Sequence, residues 1–278
     1  MISVIIPANN EEAYIRDCLG SILASDPLPE GAPAQVIVVA NGCTDATVDK
    51  AQSLSADFAG KGWQLEVLDL AEGGKIPALN AGDAAALYDT RIYIDADIRV
   101  APALLAQLAG VLDRADPAYA SGQLRVPPAR SWVSTRYARF WQRLPFIAKD
   151  VPGCGVFAVN GAGRARWAVF PDIISDDTFA RYHFSAAERH AVPASFDWPI
   201  TEGFASLVRV RRRQNEGLDE VRQLYPDLAR KMDPTAPDAR EKRRLFAADP
   251  LGFVIYATVA LTVRLPVFRN AGRWDRGR

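Results

Sequence analysis

The sequence predicts an α/β protein in which a mostly parallel, wound sheet is flanked by helices. Three observations support this fold class. Short apolar runs alternate through residues 1–117 with segments whose apolar residues recur at helical spacing. The run Gln35–Ala40 continues apolar after its first residue, as a strand buried on both faces requires. Polar residues cluster directly after the strands, where parallel sheets hold their ligands.

The predicted elements follow one another in the order βαβαβαβ. Helices are expected from about Ala13, after the turn "NGCTD", from the "GGK" that follows the third strand, and over about Ala101–Ala115. Because the crossovers of such a chain are right-handed, the carboxyl ends of its strands converge on one crevice. The predicted strands are Ser3–Pro7, Gln35–Ala40, Leu65–Leu70 and Ile92–Ala96.

The pattern divides the chain into three parts. Residues 1–117 carry the alternating elements, residues 118–200 mix short strands with loops punctuated by Gly and Pro, and a helical pattern begins beyond Glu202. Residues 216–278 are predicted to be a helical C-terminal extension.

Composition excludes several classes of protein. Lys and Arg together number 33, as do Asp and Glu, so no overall charge attracts nucleic acid. Cys18, Cys43 and Cys154 share no C-x-x-C spacing, which argues against a disulfide framework or a zinc site. The N-terminus lacks the basic region and cleavage site of a signal peptide, so we expect a cytoplasmic location.

The C-terminal segment Leu251–Val263 is apolar all round. Its 13 residues are fewer than the roughly 20 that span a bilayer. One interpretation is that residues 251–269 lie at the inner face of the cell membrane, since basic residues flank the segment. The other is a helix packed on the protein's own core or on a partner subunit. The flanking basic residues are Lys242, Arg243, Arg244, Arg264 and Arg269.

The stretch "RIYIDADIRV" alternates apolar and polar residues from Arg91 to Val100. In an extended strand, Asp95 and Asp97 would therefore stand on the same face. Two explanations fit: a half-exposed strand with solvated carboxylates, or a hard divalent cation held between them.

The "GGK" that ends at Lys75 has the features of a phosphate site. Backbone N–H groups, a helix N-terminus and a cation together bind phosphate oxygens. Its place after a strand, ahead of the two aspartates, suits a nucleoside diphosphate.

Four segments, in this order and spacing, resemble the family-2 glycosyltransferases of the GT-A fold. They are "SVIIPANNEEAYIRDCLGSIL", "VIVVANGCTDATVD", "GGKIPALNAGDAAA" and "YIDAD", and the resemblance covers roughly residues 2–215. It implies a nucleotide-diphosphate sugar donor, a carbohydrate or lipid-linked acceptor, and Mn²⁺ or Mg²⁺. Residues 1–117 would then bind the donor, and residues 118–215 would form the acceptor-binding and catalytic half of the same domain.

The resemblance also assigns roles to individual residues. Asp97 would bind the metal, and Asp95 would lie toward both the ribose and the metal. The residues implied to bind the nucleotide sugar are Pro7, Asn9, Glu11, Asn41, Lys75, Asp95 and Arg213.

Two positions depart from the family pattern. Asn9 replaces an aromatic residue that could stack on the base, and Asn41 replaces an Asp that faces the base edge in several members. The nucleotide is therefore left open between UDP, GDP and dTDP.

The segment from Gly153 to Tyr182 resembles the family's acceptor loop. The resemblance implies that Asp177 is the general base of an inverting transfer and that Asp176 orients either the base or the acceptor. The alternative is an ordinary helix N-terminus, where paired acids complement the dipole. The residues implied to bind the acceptor are Gly153, Cys154 and Gly155.

Other features narrow the activity. The segment around Arg213 lacks the Q-x-x-R-W of processive synthases, which predicts a non-processive enzyme. The resemblance implies a role in cell-surface polysaccharide or glycolipid synthesis. His183 and His190 are interpreted as structural residues. A catalytically silent binding protein of the same fold stays open, whereas a haloacid-dehalogenase-like phosphatase is disfavoured because Arg99 breaks its signature.

Overall fold

One sheet runs through the protein in the strand order β3-β2-β1-β4-β7-β6-β8-β5. The computed structural model describes residues 1–148, 150–230 and 237–268. The strands are β1 (Ile2–Ala8), β2 (Ala34–Asn41), β3 (Gln64–Leu70), β4 (Arg91–Ile94), β5 (Arg99–Val100), β6 (Tyr119–Arg125), β7 (Val156–Val159) and β8 (Arg189–Asp197).

The first four strands confirm the predicted parallel arrangement. β1 pairs in parallel with β2 and β4, and β2 pairs in parallel with β3. The second half makes the sheet mixed, because β7 runs antiparallel to β4 and β6, and β5 runs antiparallel to β8. β6 and β8 are parallel.

Helices cover both faces of the sheet. The first-half helices are α1 (Ile15–Leu23), α2 (Thr47–Gln52), α3 (Ser55–Gly60), α4 (Lys75–Ala85) and α5 (Leu104–Leu112). The middle of the chain adds α6 (Trp132–Trp141), α7 (Pro145–Ala148), α8 (Gly161–Arg164) and α9 (Asp176–Tyr182). The C-terminal helices are α10 (Phe204–Leu224), α11 (Pro226–Arg230), α12 (Ala239–Ala248) and α13 (Pro250–Thr262).

Alternate residues of the central strands pack into two cores. Val4 and Ile6 of β1 belong to the core under α1 and α5, whereas Ile5 belongs to the core on the opposite face. A third apolar cluster joins α6, α10 and α13 around Phe140, Val208 and Val259. The sheet thereby holds the carboxyl ends of its parallel strands fixed between two packed layers.

The predicted strand through Asp95 is wrong beyond Ile94. β4 ends there, and the Ile98 N–H donates to the Asp95 carbonyl at 3.1 Å, which closes a turn. Ala96 and Ile98 are buried, so the alternation in the sequence reports a turn whose apolar side chains enter the core. Asp95 and Asp97 therefore lie in a turn between β4 and β5 and not on one face of a continuous strand.

The C-terminal extension is helical where it is described. The predicted boundary between residues 215 and 216 lies inside α10, which continues from the acceptor half. No helix of the described ranges is both long and apolar enough to cross a membrane. The predicted contact at Arg269 lies outside the described residues.

Candidate active site

One cleft of about 1490 Å³ is lined by all the predicted site residues. One wall is built by the loops that follow β1, β2, β3 and β4. The opposite wall is built by the loop before β7, the start of α9, and α10. The predicted residues that line the cleft are Pro7, Asn9, Glu11, Asn41, Lys75, Asp95, Asp97, Gly153, Cys154, Gly155, Asp176, Asp177 and Arg213.

Asn41 ties the ends of the first strands to the loop before α4. Its side chain is 2% exposed, its Nδ2 donates to the Ala8 carbonyl at 2.8 Å, and its Oδ1 accepts from the Gly74 N–H at 2.8 Å. An ionised Asp could accept at this position but could not donate. Both polar groups of Asn41 are therefore engaged within the protein, and Asn9 completes the arrangement by donating to the Asn41 carbonyl.

Close backbone packing explains a glycine in the same loop. Gly42 has φ +56°, and a Cβ at this position would lie 2.6 Å from the Gly73 nitrogen. A side chain there would separate the two loops, so Gly42 keeps the Gly73–Gly74 backbone against the end of β2.

Lys75 links the two walls of the cleft. Its Nζ lies 3.0 Å from Asp95 Oδ1 and 3.0 Å from Asp176 Oδ1. Burial opposes the ammonium charge, but Asp176 and Asp95 outweigh it, so the pKa of Lys75 lies above its ordinary value. Lys75 is the first residue of α4, so its charge lies at a helix N-terminus, directly after Gly73 and Gly74.

Asp176 and Asp177 open α9 on the far wall. Asp176 is 3% exposed. Burial, followed by the charge of Asp176, raises the pKa of Asp177 to about 6, against the opposing effects of Lys75 and the Thr178 N–H. The pair does more than complement a helix dipole, because Asp176 is bonded across the cleft to Lys75.

An ion cluster fixes the loop that carries Gly153, Cys154 and Gly155. Arg181 of α9 donates to the Asp150 carboxylate and, at 3.0 Å, to the Val151 carbonyl. Arg189 lies 3.3 Å from Asp150. The loop and α9 are thus held together by partly buried charge-assisted hydrogen bonds.

The glycines of this loop allow close approaches. Both have positive φ, and a Cβ at Gly153 would lie 1.7 Å from Tyr119 Oη. A Cβ at Gly155 would lie 2.7 Å from Trp198 Cδ1. The Gly155 carbonyl also accepts from the Asp95 N–H at 2.9 Å, which joins the loop to the aspartate turn.

Cys154 is a neutral thiol in this setting. Burial, with the charge of Asp177 second, raises the pKa of its thiol well above the ordinary value. It can therefore contact an acceptor as a small uncharged group and has no thiolate to offer as a nucleophile.

Sequence reasoning missed an aromatic wall and part of the C-terminal lining. Trp141 and Trp198 stack with ring centroids 5.3 Å apart, and both line the cleft. Tyr256 and Arg264 reach the cleft from α13 and the residues after it. No short motif marks these positions, because only the packing of α6, α10 and α13 brings them together.

The two histidines lie outside the residues described as lining the cleft. His183 Nδ1 is 2.9 Å from the Phe179 carbonyl, and its ring packs on Trp167 and Phe179. His190 Nε2 is 3.0 Å from Arg114. These contacts agree with the structural interpretation of both residues.

The carboxylates suit a divalent cation that is shared with a substrate. Within the described ranges, no three His, Cys, Asp or Glu side chains form a metal site by themselves. Asp95 and Asp97 supply hard oxygen ligands in the cleft wall. Mg²⁺ is usually held by one or two carboxylates together with substrate phosphates and water, so the residues present fit such an ion.

Comparisons of the sequence agree with one another. The profile of the family described as Glycosyl transferase family 2 matches residues 3–166. The 4,4'-diaponeurosporenoate glycosyltransferase of Staphylococcus aureus (strain MRSA252) is 27% identical over 210 residues, 73% of this chain and 49% of that protein. The uncharacterized glycosyltransferase EpsJ of Bacillus subtilis (strain 168) is 28% identical over 108 residues, 39% of this chain and 29% of that protein. The chain thus spans about half or less of these relatives.

Solved structures share the fold. S. aureus TarS 1–349, crystallised with UDP, has a TM-score of 0.58 at 16% identity, covering 96% of this chain and 75% of that one. The mannosyltransferase PcManGT from Pyrobaculum calidifontis, in complex with GDP-Man and Mn²⁺, has a TM-score of 0.58 at 19% identity, covering 95% and 75%. The predicted GT-A fold is confirmed.

Proposed function

The chain belongs to glycosyl transferase family 2, and from that premise we propose that it transfers a sugar from a nucleotide-diphosphate sugar to an acceptor hydroxyl, with inversion. One observation carries the proposal. Within a single cleft, Lys75 bonds Asp95 to Asp176, the neighbour of the candidate base Asp177. The wall that carries Asp95, built by the loops after β1, β2, β3 and β4, is called the donor wall below.

The donor wall has the groups that a diphosphate needs. The N-terminus of α4 and the Gly73–Gly74 backbone border the cleft, and Lys75 and Arg213 add positive charge. UDP and GDP-mannose, which the two structural neighbours hold, are the first ligands to test. The Asn41 side chain is bonded to Ala8 and Gly74, so we propose that it positions the Gly73–Gly74 loop and does not contact the base of the nucleotide.

A divalent ion, Mn²⁺ or Mg²⁺, would be held by Asp95 and Asp97 together with the diphosphate. When bound, it supplies Lewis-acid stabilisation of the charge on the leaving diphosphate. Lys75 and Arg213 neutralise the same charge from the protein side.

The start of α9, on the opposite wall of the cleft, supplies the general base. Asp177 accepts the proton of the acceptor hydroxyl as the oxygen attacks the anomeric carbon from the face opposite the diphosphate. With a pKa of about 6, the carboxylate is ionised at neutral pH and is more basic than an ordinary Asp. Asp176, held by Lys75, orients α9 and thereby the base.

The acceptor is proposed to enter between the aromatic wall and the glycine loop. Trp141 and Trp198 offer apolar ring surface to a sugar or to the sugar end of a lipid-linked acceptor, and Gly153–Gly155 leaves room beside them. Non-processive transfer in cell-surface polysaccharide or glycolipid synthesis, and a cytoplasmic location, stay predictions from the sequence.

The first experiment separates an enzyme from a silent binding protein. Thermal shift with UDP, GDP and dTDP, each with and without Mn²⁺, should select one nucleotide, and the matching sugar donors are then assayed for hydrolysis or transfer. Asp97→Ala should lose the Mn²⁺-dependent stabilisation while keeping the melting temperature of the free protein. Asp113→Ala, at an exposed position, is the control. Stabilisation with no turnover of any donor would favour the binding protein, and full activity in EDTA would contradict the metal's role.

A further inference from the structure

The helix α13 has two apolar faces. The inward face packs on α6 and α10: Val259 is fully buried, and the rings of Phe253 and Tyr256 lie 5.7 and 5.2 Å from that of Phe140. This packing explains why the segment is a fixed part of the fold. The side of the helix opposite this packing is exposed.

The outward face of α13 is exposed and apolar. Leu251, Val254 and Leu261 are 45%, 53% and 62% exposed, and Leu265, just beyond the helix, is 54% exposed. Their spacings of three, seven and four residues place them on one side of the helix. Phe246 of α12 is also exposed, and its ring contacts Phe253 at a centroid distance of 5.4 Å, so α12 is packed beside α13. Contiguous exposed apolar surface of this kind marks an interaction site.

Arg212 holds the residues after α13 in place. Its guanidinium donates to the carbonyls of Val263, Leu265, Val267 and Phe268 at 3.2, 2.8, 2.9 and 3.0 Å. Four backbone carbonyls of this segment are thereby paired with α10, while the side chains of Leu265, Val267 and Phe268 stay exposed. Pairing these carbonyls lowers the cost of bringing an apolar tip into a medium that offers few hydrogen bonds.

The charges around this surface identify the medium. The whole chain is balanced, yet α12 carries four basic residues and one acidic residue, Glu241, while Asp238 and Asp249 cap the starts of α12 and α13. A second copy docked on the same face would bring these basic borders together, which is unfavourable. An anionic lipid surface attracts them instead. The basic residues of α12 are Arg240, Lys242, Arg243 and Arg244.

We propose that α12, the outward face of α13 and residues 265–268, together the α12–α13 surface, dock on an anionic membrane. Arg264, which directly precedes residues 265–268, lines the cleft, so docking places this end of the cleft beside the lipid headgroups. It follows that the acceptor hydroxyl is carried by a membrane lipid, and this second step rests on the proposed function.

Vesicle sedimentation of the full chain tests the docking. Binding should appear with vesicles of phosphatidylcholine plus phosphatidylglycerol and not with phosphatidylcholine alone. The double variant Val254→Glu with Leu261→Glu should lower the partition at least about tenfold, because it replaces apolar contacts with repelled charges. The matched control, Leu87→Glu with Val169→Glu, changes two equally exposed apolar residues elsewhere and should bind as the parent does.

A variant that keeps the apolar face guards against misfolding. Lys242→Ala with Arg243→Ala and Arg244→Ala changes only exposed side chains and should weaken binding to the anionic vesicles. Equal vesicle binding by the parent and both variants would overturn the docking. So would light scattering that shows a parent dimer dissociated by Val254→Glu with Leu261→Glu and no vesicle binding, since the occupant would then be a second copy.

Radiolabelled donor and vesicles of a total bacterial lipid extract test the acceptor. Label should enter the organic-soluble phase with the parent and fall at least about tenfold with Val254→Glu and Leu261→Glu, while donor hydrolysis in solution is unchanged. Hydrolysis without any labelled lipid would overturn the lipid acceptor alone. Absence of both hydrolysis and transfer, with vesicle binding intact, would instead contradict the proposed function.

Discussion

Lys75 Nζ lies 3.0 Å from Asp176 Oδ1, so the start of α4 is bonded to the start of α9, which carries the candidate base Asp177. One side chain thus joins the two walls of the cleft. A diphosphate that attracts the same ammonium would change the electrostatic surroundings of both aspartates of α9.

Lys75→Met should weaken nucleotide binding and shift the pH dependence of transfer. The positive charge of Lys75 lowers the pKa of Asp177, so its removal raises that pKa above about 6. At a given acidic pH, less of the carboxylate is then ionised. The acidic limb of the pH–rate profile should therefore move to higher pH. Lys61→Met, which removes a lysine remote from the cleft, should leave the profile in place, and an unmoved limb in Lys75→Met would show that Lys75 does not act on the base.

Asp177→Asn should keep donor binding and lose transfer by at least about 10²-fold, the lower range for losing a general base. Nucleotide thermal shift reports the first property, and single-turnover transfer reports the second. Asp176→Asn is the matched variant, since it changes the neighbouring carboxyl and leaves the base. If Asp176→Asn loses transfer while Asp177→Asn stays near the parent rate, the base is Asp176.

The same carboxyl should make stability depend on pH. Because burial raises the pKa of Asp177 to about 6, the folded protein binds this proton more tightly than the unfolded chain does. Its contribution to stability is complete below the unfolded pKa and is lost as pH rises through about 6. Asp177→Asn lacks this titration, so its melting temperature should rise relative to the parent's between pH 4 and pH 8. The corresponding gain in the free energy of unfolding should be at least that of a one-unit pKa shift, about 1.4 kcal/mol. Asp69→Asn, at an exposed position, controls for the loss of a carboxyl, and a constant difference across pH would contradict the assignment.

Asn41→Asp should destabilise the free protein by about 1–3 kcal/mol or more, the cost of leaving buried polar groups unpaired. The new carboxylate would face the Ala8 carbonyl, to which Asn41 now donates at 2.8 Å. Chemical denaturation measures the loss. Asn10→Asp is the control, because Asn10 Oδ1 accepts hydrogen bonds from the N–H and the hydroxyl of Thr44, and a carboxylate oxygen can accept both. An equally small effect of both substitutions would show that the donated bond of Asn41 is unimportant.

The sequence predicted which residues meet at the carboxyl ends of the first strands because their determinants are local. Strand, turn and helix start follow one another within a few residues around Asn41, Lys75 and Asp95, and each motif lies at the carboxyl end of its own strand. The strand predicted beyond Ile94 was wrong because a turn with buried Ala96 and Ile98 produces the same alternation.

The opposite wall of the cleft, built by the loop before β7, the start of α9, and α10, could be predicted only in part. Asp176 and Asp177 were found through a resemblance, but Trp141 and Trp198 meet only when α6 packs beside the end of β8. One face of α13 packs on the protein, as one interpretation of Leu251–Val263 predicts, and the other face is exposed, so the membrane interpretation stays a prediction. Periodicity could not separate the faces because both are apolar.

Gly155→Ala should impair acceptor use more than donor hydrolysis. The new Cβ would lie 2.7 Å from Trp198 Cδ1 and 2.9 Å from Ile98 Cδ1, so Trp198 must move within the aromatic wall. The acceptor KM should rise at least several-fold while hydrolysis of the donor by water changes little. Gly31→Ala separates this clash from backbone strain, since Gly31 also has a positive φ but has open space where its Cβ would be built. Both variants should lose about 1–3 kcal/mol of stability from the strained φ, and only Gly155→Ala should change the acceptor KM. A matching KM change in Gly31→Ala, or none in Gly155→Ala, would remove Trp198 from the acceptor site.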